Sequence, residues 1–308
     1  MSNILKYNFN FIGKRKIWFI ISFAVIAAGV IGLIVHGSFN FGIDFLGGSL
    51  IEVKFDRDTS AAEIRDVMSD LGYNNIIIQR VINNLLQEES DRFIIRVRAK
   101  EKEVPISTEE KNEILDTLDE KIGLDGEPLQ DRTVDPAFGN VLILNALKAI
   151  AISIAGILIY VWIRFEFRFG AVAILALIHD VSVTIGVYAI LNREINISTI
   201  AAILTIIGYS LNDTIVVFDR IRENTPMTGK LGYSRVVNNS INATLSRSIN
   251  TSITTLFPVI LLLILGTTAL KDFALALTVG IISGTYSSIF FASPILVVWN
   301  NRFPRYKK

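Results

Sequence analysis

The stretch ISTIAAILTIIGYSLNDTIVVFDRIREN, residues 197–224, constrains this chain more than any other. From Ile197 to Phe218 it runs 22 residues with one formal charge, Asp213. At about 1.5 Å per residue it covers the roughly 30 Å of bilayer hydrocarbon, so it reads as a membrane-spanning helix. Asp213 lies 16 residues from the outer end, roughly 24 Å along the axis. An ionised carboxylate is costly at that depth, which marks the residue as a functional candidate. Thr205, Tyr209 and Asp213 repeat at i, i+4, with Gly208 and Asn212 beside them. That face is expected to look into a bundle or a wet path rather than at lipid.

A buried aspartate needs a partner, and the segment from Ser240 to Gly266 offers one. Ser240, Thr244, Arg247, Thr251 and Thr254 recur at helical spacing. Arg247 stands 19 residues before Gly266, roughly 28 Å from the outer end. Snorkelling to the inner surface is the alternative use of such an arginine. The matching depth favours an Asp213–Arg247 pair inside the bundle.

With 51% hydrophobic residues in 308 and a mean hydropathy of +0.48, the chain is too apolar for an ordinary soluble domain. Six segments qualify as spans, at about 17–35, 141–163, 169–191, 197–218, 244–266 and 273–298. The first follows Lys14, Arg15 and Lys16, but it is too long for a signal-peptide core and lacks a cleavage pattern, so it is read as an anchor. The last is interrupted by Gly280, Gly284 and Pro294, which neighbouring helices can tolerate. Basic residues cluster at the N-terminus, at Arg164 and Arg168, from Arg220 to Arg235, and from Arg302 onward. The positive-inside rule then puts both termini in the cytoplasm and the loop 36–140 outside. That loop carries 12 Lys and Arg against 22 Asp and Glu, while the rest carries 18 against 7. The overall charge of +1 thus hides two opposite halves. Nothing in this balance points to nucleic acid. With no cysteine, the external domain uses no disulfide.

The external loop opens with FNFGIDFLGGS, where Gly42, Gly47 and Gly48 surround Asp44. This reads as a tight connection leaving the membrane. It is not a phosphate loop, since no Lys-Ser/Thr follows, and no other nucleotide-binding stretch is present. Strands are expected over 49–55, 76–81, 92–98 and 128–134, with helices over 60–71 and 107–122 and a polar turn around 83–91. Ser60 and Glu63 make an N-terminal cap for the first of these helices. The order β-α-β-β-α-β is that of a ferredoxin-like α+β domain. The expected architecture is a six-helix membrane bundle with one such extracytoplasmic domain. Its parts are 1–35 (N-terminus and first span), 36–140 (external domain) and 141–308 (spans two to six and the C-terminus).

Lys148, near the outer end of the second span, is expected to snorkel. His179 and Asp180 fall near the midplane of the third, where a proton path and a helix-packing role both remain open. Two histidines in the chain argue against a metal centre, and no enzymatic constellation or cofactor site is expected. FDRIREN and the polar residues to Arg235 are expected to form an amphipathic helix on the cytoplasmic surface.

FGIDFLGG, the midplane His179–Asp180, IGYSLNDTIVVFDRIREN and LSRSINTS together resemble the SecF family, the smaller partner of SecD in bacterial protein export. The resemblance extends over essentially the whole chain; Ser248 stands where the family often has threonine. The family belongs with the resistance–nodulation–division transporters. The resemblance implies a multi-pass protein of the bacterial cytoplasmic membrane, surrounded by lipid, with a separate SecD chain and the SecYEG channel as partners. It implies use of the proton-motive force to draw a translocating preprotein outward. By residue-to-residue match, Asp213 would be the proton-relay aspartate and Arg247 the essential arginine, with Tyr209, Asn212, Thr251, His179 and Asp180 as secondary candidates. Two other readings stay open: a half-transporter exporting a lipid or small molecule, and a passive scaffold for translocase subunits.

The topology is directly testable because any introduced cysteine is unique. A cysteine at 111 should react with an impermeant thiol reagent in intact cells, and one at 308 should react only after the membrane is opened. Labelling at 308 but not at 111 in intact cells would reverse the orientation.

Overall fold

The computed structural model describes residues 9–74, 76–82, 89–97 and 106–305. In chain order the elements are α1 (Arg15–His36), α2 (Ile43–Leu46), β1 (Gly48–Lys54), α3 (Ala61–Asp70), β2 (Ile76–Ile82), β3 (Glu89–Val97), α4 (Thr108–Lys121) and β4 (Gln130–Val134). Then follow α5 (Pro136–Arg164), α6 (Phe167–Ile190), α7 (Ile197–Asn224), α8 (Thr228–Leu231), α9 (Tyr233–Leu265), α10 (Thr268–Tyr286), a π-turn over Ser287–Ala292, and α11 (Ser293–Arg302). The described residues include 6 helices long and apolar enough to cross a membrane. The turn expected around 83–91 falls largely on residues 83–88, outside the described residues, as does Arg98 at the end of the third expected strand.

The chain forms two compact units, one of residues 41–149 with 194–197, the other of the remaining helical segments. The first holds a 4-stranded sheet in the order β2-β3-β1-β4, with every pairing antiparallel. This is the ferredoxin-like arrangement expected from the sequence. Strand alternation drives it: Ile51, Val53, Phe93, Ile95 and Val97 turn inward to meet Ile64, Met68, Ile114 and Leu118 from α3 and α4. The helices start where side chains satisfy their free N–H groups. The Glu63 amide donates to Ser60 Oγ at 3.1 Å. Ser107 and Glu110 form a reciprocal capping box.

The glycine-rich segment and residues 194–197 are held together inside this unit. The Gly42 amide donates to the Ile195 carbonyl at 2.8 Å. The Ile197 amide, at the start of α7, donates to Asp44 Oδ2 at 3.0 Å. Asp44 therefore caps α7 from a distant part of the chain, with its charge facing the positive end of the helix dipole. Arg132 of β4 pairs with the other oxygen of Asp44 at 2.8 Å. Beside them Arg96 of β3 and Glu194, each 8% exposed, form an ion pair at 2.6 Å. Arg96 also donates to Gln79 at 3.0 Å.

In the helical unit the core is built from α6, α7, α9, α11 and the π-turn, with Phe169, Phe218, Val237 and Ile289 among its buried residues. Phe11 and Ile12 add to it from the chain before α1, where their amides donate to Asn238 Oδ1 at 2.9 and 3.3 Å. The apolar window of α5 is wholly unburied. The surface helix expected over FDRIREN is not a separate element: these residues are the end of α7, and the polar stretch from Tyr233 is the start of α9. Their 28 and 33 residues extend about 42 and 50 Å, longer than the hydrocarbon needs. The overhang is tied down by side chains, with Arg222 on Asp219 at 2.8 Å and Asn224 donating to Ser240 at 2.9 Å.

Removing one member of a buried ion pair leaves an uncompensated charge, at a cost of about 3–5 kcal/mol, whereas replacing both with apolar residues costs far less. Arg96→Met should therefore lower the melting temperature of the detergent-solubilised protein more than Arg96→Met combined with Glu194→Leu. Equal melting of wild type and Arg96→Met would show that the pair does not hold the segment.

Candidate functional site

Three carboxylates are buried in the helical unit: Asp272 near the start of α10, 3.8 Å from Arg193, and, deeper in their spans, Asp180 on α6 and Asp213 on α7. Asp180 is 0% exposed and is surrounded by donors. Its Oδ2 accepts from Ser210 of α7 at 2.6 Å and from Ser287 of the π-turn at 2.7 Å. Its Oδ1 accepts from Ser283 of α10 at 2.6 Å and lies 3.0 Å from His179 Nδ1. Three helical segments thus converge on one side chain. Its two oxygens are met by three hydroxyl donors and one imidazole nitrogen.

Asp213 is 8% exposed. Ser288 of the π-turn donates to its Oδ2, while the buried Ser248 hydroxyl of α9 makes no hydrogen bond among the described residues. Adjacent residues, Ser287 and Ser288, therefore reach the two carboxylates separately. Two local features make this reach possible. At Gly284 a Cβ atom would come within 2.9 Å of the Ser210 side chain and 3.1 Å of its backbone, so α10 and α7 touch there because no side chain intervenes. The widened turn precedes Pro294, which has no N–H to donate back along the helix. Its carbonyls find other partners, and Ser293 Oγ donates to the Ser288 carbonyl at 2.8 Å. Turns of this kind occur often at functional sites.

The other candidates separate into inner and outer faces. Tyr209 is half-buried and its hydroxyl donates to Ser252 of α9 at 3.3 Å. Ser252 lies in turn 2.5 Å from the Thr285 hydroxyl of α10. His179 is buried and stacks on Phe291 with ring centroids 4.6 Å apart. Asn212, Thr205 and Gly208 are exposed. The polar face read along α7 was too wide to turn inward as a whole. Each i+4 step gains about 40°, so Asp213 points roughly 80° away from Thr205.

The closed Asp213–Arg247 pair expected from matching depth is not formed. Arg247 is exposed and, among the described residues, makes no ion pair within 4.0 Å. The cause is helical phase. Ser240, Thr244, Ser248 and Ser252 form the buried row of α9, while Arg247, Thr251 and Thr254 lie on the exposed side. The Thr251 and Thr254 hydroxyls are satisfied by the Arg247 and Asn250 carbonyls, at 2.9 Å each. Sequence reasoning missed Ser210, Ser248, Ser283, Ser287 and Ser288. Their signal was faint: Ser283 and Ser287 repeat at i, i+4 in the last span, and Ser210 and Ser248 lie in other spans.

Comparison with known proteins gives the family. Residues 114–302 match the family described as protein export membrane protein SecD/SecF, C-terminal, and residues 39–59 match the SecD/SecF GG motif. The chain is 38% identical over 297 residues to the protein translocase subunit SecF of Rickettsia bellii, covering 96% of this chain and 95% of that one. It is 39% identical over 293 residues to SecF of Petrotoga mobilis, covering 94% and 95%. The protein translocase subunit SecDF of Thermus thermophilus is 39% identical over 297 residues, and there the chain covers 39% of the longer protein. The crystal structure of SecDF, a translocon-associated membrane protein from the same organism, superimposes with a TM-score of 0.84 at 38% identity, covering 96% of this chain and 39% of that one. On this evidence of sequence and fold, the chain belongs to the SecD/SecF family of protein export membrane proteins.

Proposed function

We propose that the protein acts with a SecD subunit in Sec-dependent protein export, and that proton binding at Asp213 drives a movement that assists the translocating preprotein. The observation that carries this reading is a carboxylate buried deep in an apolar span and held by the Ser288 hydroxyl of the π-turn. Such a group can exist charged or neutral, and each form favours a different arrangement of its donors. A passive scaffold has no use for it.

The exposed polar row on α7 and α9 supports the partnership. Thr205, Gly208 and Asn212 on one helix and Arg247, Asn250 and Thr251 on the other stand uncovered within membrane-spanning segments. Lipid is a poor neighbour for an arginine and an asparagine, so a second membrane protein is the fitting cover. SecD is the natural choice, since the SecDF relative holds a SecF-like portion within a longer chain. In that setting Arg247 serves both surfaces, lending its charge to Asp213 and meeting the partner. The basic bias of alternate loops supports a cytoplasmic-membrane protein with both termini inside. SecYEG is the channel at which this pair would work.

Vesicles with translocation stalled, ATP exhausted and a proton gradient imposed test the reading. Asp213→Asn keeps size and hydrogen bonding but cannot cycle between charge states, and should abolish gradient-driven completion of export while leaving SecD association intact. Arg247→Met should be as harmful, and Arg247→Lys should also impair, because an ammonium does not reproduce the planar guanidinium. Export by Asp213→Asn at the wild-type rate would reduce Asp213 to a structural polar group.

A further inference from the structure

The hydroxyls around the two carboxylates are of two kinds. Ser210 and Ser283, among the described residues, each have Asp180 as their one acceptor. The serines of the π-turn each have two. Ser287 donates to Asp180 and also lies 3.1 Å from the Gly284 carbonyl oxygen. Ser288 donates to Asp213 and also lies 3.1 Å from the Thr285 carbonyl oxygen. A hydroxyl carries one hydrogen and two lone pairs, so it can serve only one of two acceptors at a time. The carbonyls are three residues back along the same helix and have a second lone pair free to accept.

We propose that Ser288 is a hydroxyl switch that lets Asp213 gain and lose a proton in place, and that Ser287 does the same for Asp180. With Asp213 ionised, the Ser288 hydrogen points at the carboxylate. When a proton arrives, the new carboxyl O–H donates to Ser288 Oγ, and the Ser288 hydrogen turns to the Thr285 carbonyl. The site gains one proton as a single O–H bond on Asp213, no other covalent bond changes, and Asp213, Ser288 and the carbonyl remain paired in both states. Without a second acceptor, the neutral form would set two hydrogens against each other and leave one buried and unpaired. Ser288 is itself 0% exposed.

The ionisable groups facing the pair are Asp180 and His179 from α6, Asp213 from α7, Arg247 from α9 and Tyr286 from α10. From α1 the hydroxyl of Ser22 donates to Tyr286 at 3.3 Å, and the Trp18 carbonyl accepts from Tyr286 at 2.8 Å. None of these is a second acceptor for the Ser288 hydrogen. The adjacency of the two switches also joins the carboxylates mechanically, because one turn of backbone carries both.

This inference rests on Asp213 being the proton-binding group. The test uses the full chain with its SecD partner in vesicles and compares Ser288→Ala with Ser210→Ala, which removes a donor of the fixed kind. Gradient-driven completion of export should fall about tenfold or more in Ser288→Ala, the loss expected for a hydrogen bond to a charged group. The pH profile of the remaining activity should be displaced from wild type. Ser210→Ala also loses a donor to a buried carboxylate and is expected to lower the rate, but it should displace the profile less than Ser288→Ala does. If Ser288→Ala fails to assemble with SecD, Ser288→Cys, which retains a weak donor of similar size, is read by the same criteria. A wild-type rate and pH profile in the Ser288 variant, or a displacement no greater than in Ser210→Ala, overturns the switch. Asp213→Asn distinguishes the two levels. If it is inactive while Ser288→Ala behaves as wild type, the relay stands and the switch falls. If Asp213→Asn is fully active, both fall.

Discussion

The helical unit depends on how two carboxylates are kept out of water without being left bare. Burying an unpaired charge in an apolar bundle is prohibitive, so each oxygen of Asp180 must find donors. It finds them on α7, α10 and the π-turn. Neutral hydroxyls suit this task. They are short, they carry no charge that itself needs burial, and a helix can supply one at each turn. Because three segments contribute, their relative rotation and depth are fixed by one side chain.

The remaining packing follows from that demand. Close approach of α10 to α7 needs glycine at 284, since any larger residue would meet Ser210. Aiming consecutive serines at different carboxylates needs a turn wider than the ordinary helix, and the π-turn supplies it ahead of Pro294. A joint built this way responds to the charge of its centre. An arrangement favoured by donors pointing at an anion is not the one favoured around a neutral acid, and closely packed helices tend to move between discrete arrangements. In the sheet unit, Asp44 belongs to the matched GG-motif segment and accepts from the Ile197 amide.

What the sequence revealed follows the range of the interactions involved. The six apolar spans, the strand alternation and the Ser60 cap are local, and each was legible in its own few residues. Asp213 stood out because one charge in 22 residues leaves little choice of meaning. Arg247 was legible as a residue but not in its facing. The rows Ser240–Thr244–Arg247 and Ser240–Thr244–Ser248 begin alike, and only packing decides which continues inward. The serine cage was hidden for a different reason. A serine in a span bears no charge and can satisfy itself on its own helix, so its use by another helix shows only in three dimensions. The Arg96–Glu194 pair is hidden too, since its partners are far apart in sequence and each looks like ordinary surface charge.

The central claim is that Asp213 changes protonation inside the folded bundle. pH-difference infrared spectroscopy on the reconstituted protein with its SecD partner measures this directly, through the carbonyl band that only a protonated carboxyl group shows. The account predicts a component of that band that appears on acidification, shifts in heavy water and is lost in Asp213→Asn, while the components of the other carboxyl groups remain. No titrating band in the wild type, or the same band undiminished in Asp213→Asn, would contradict it.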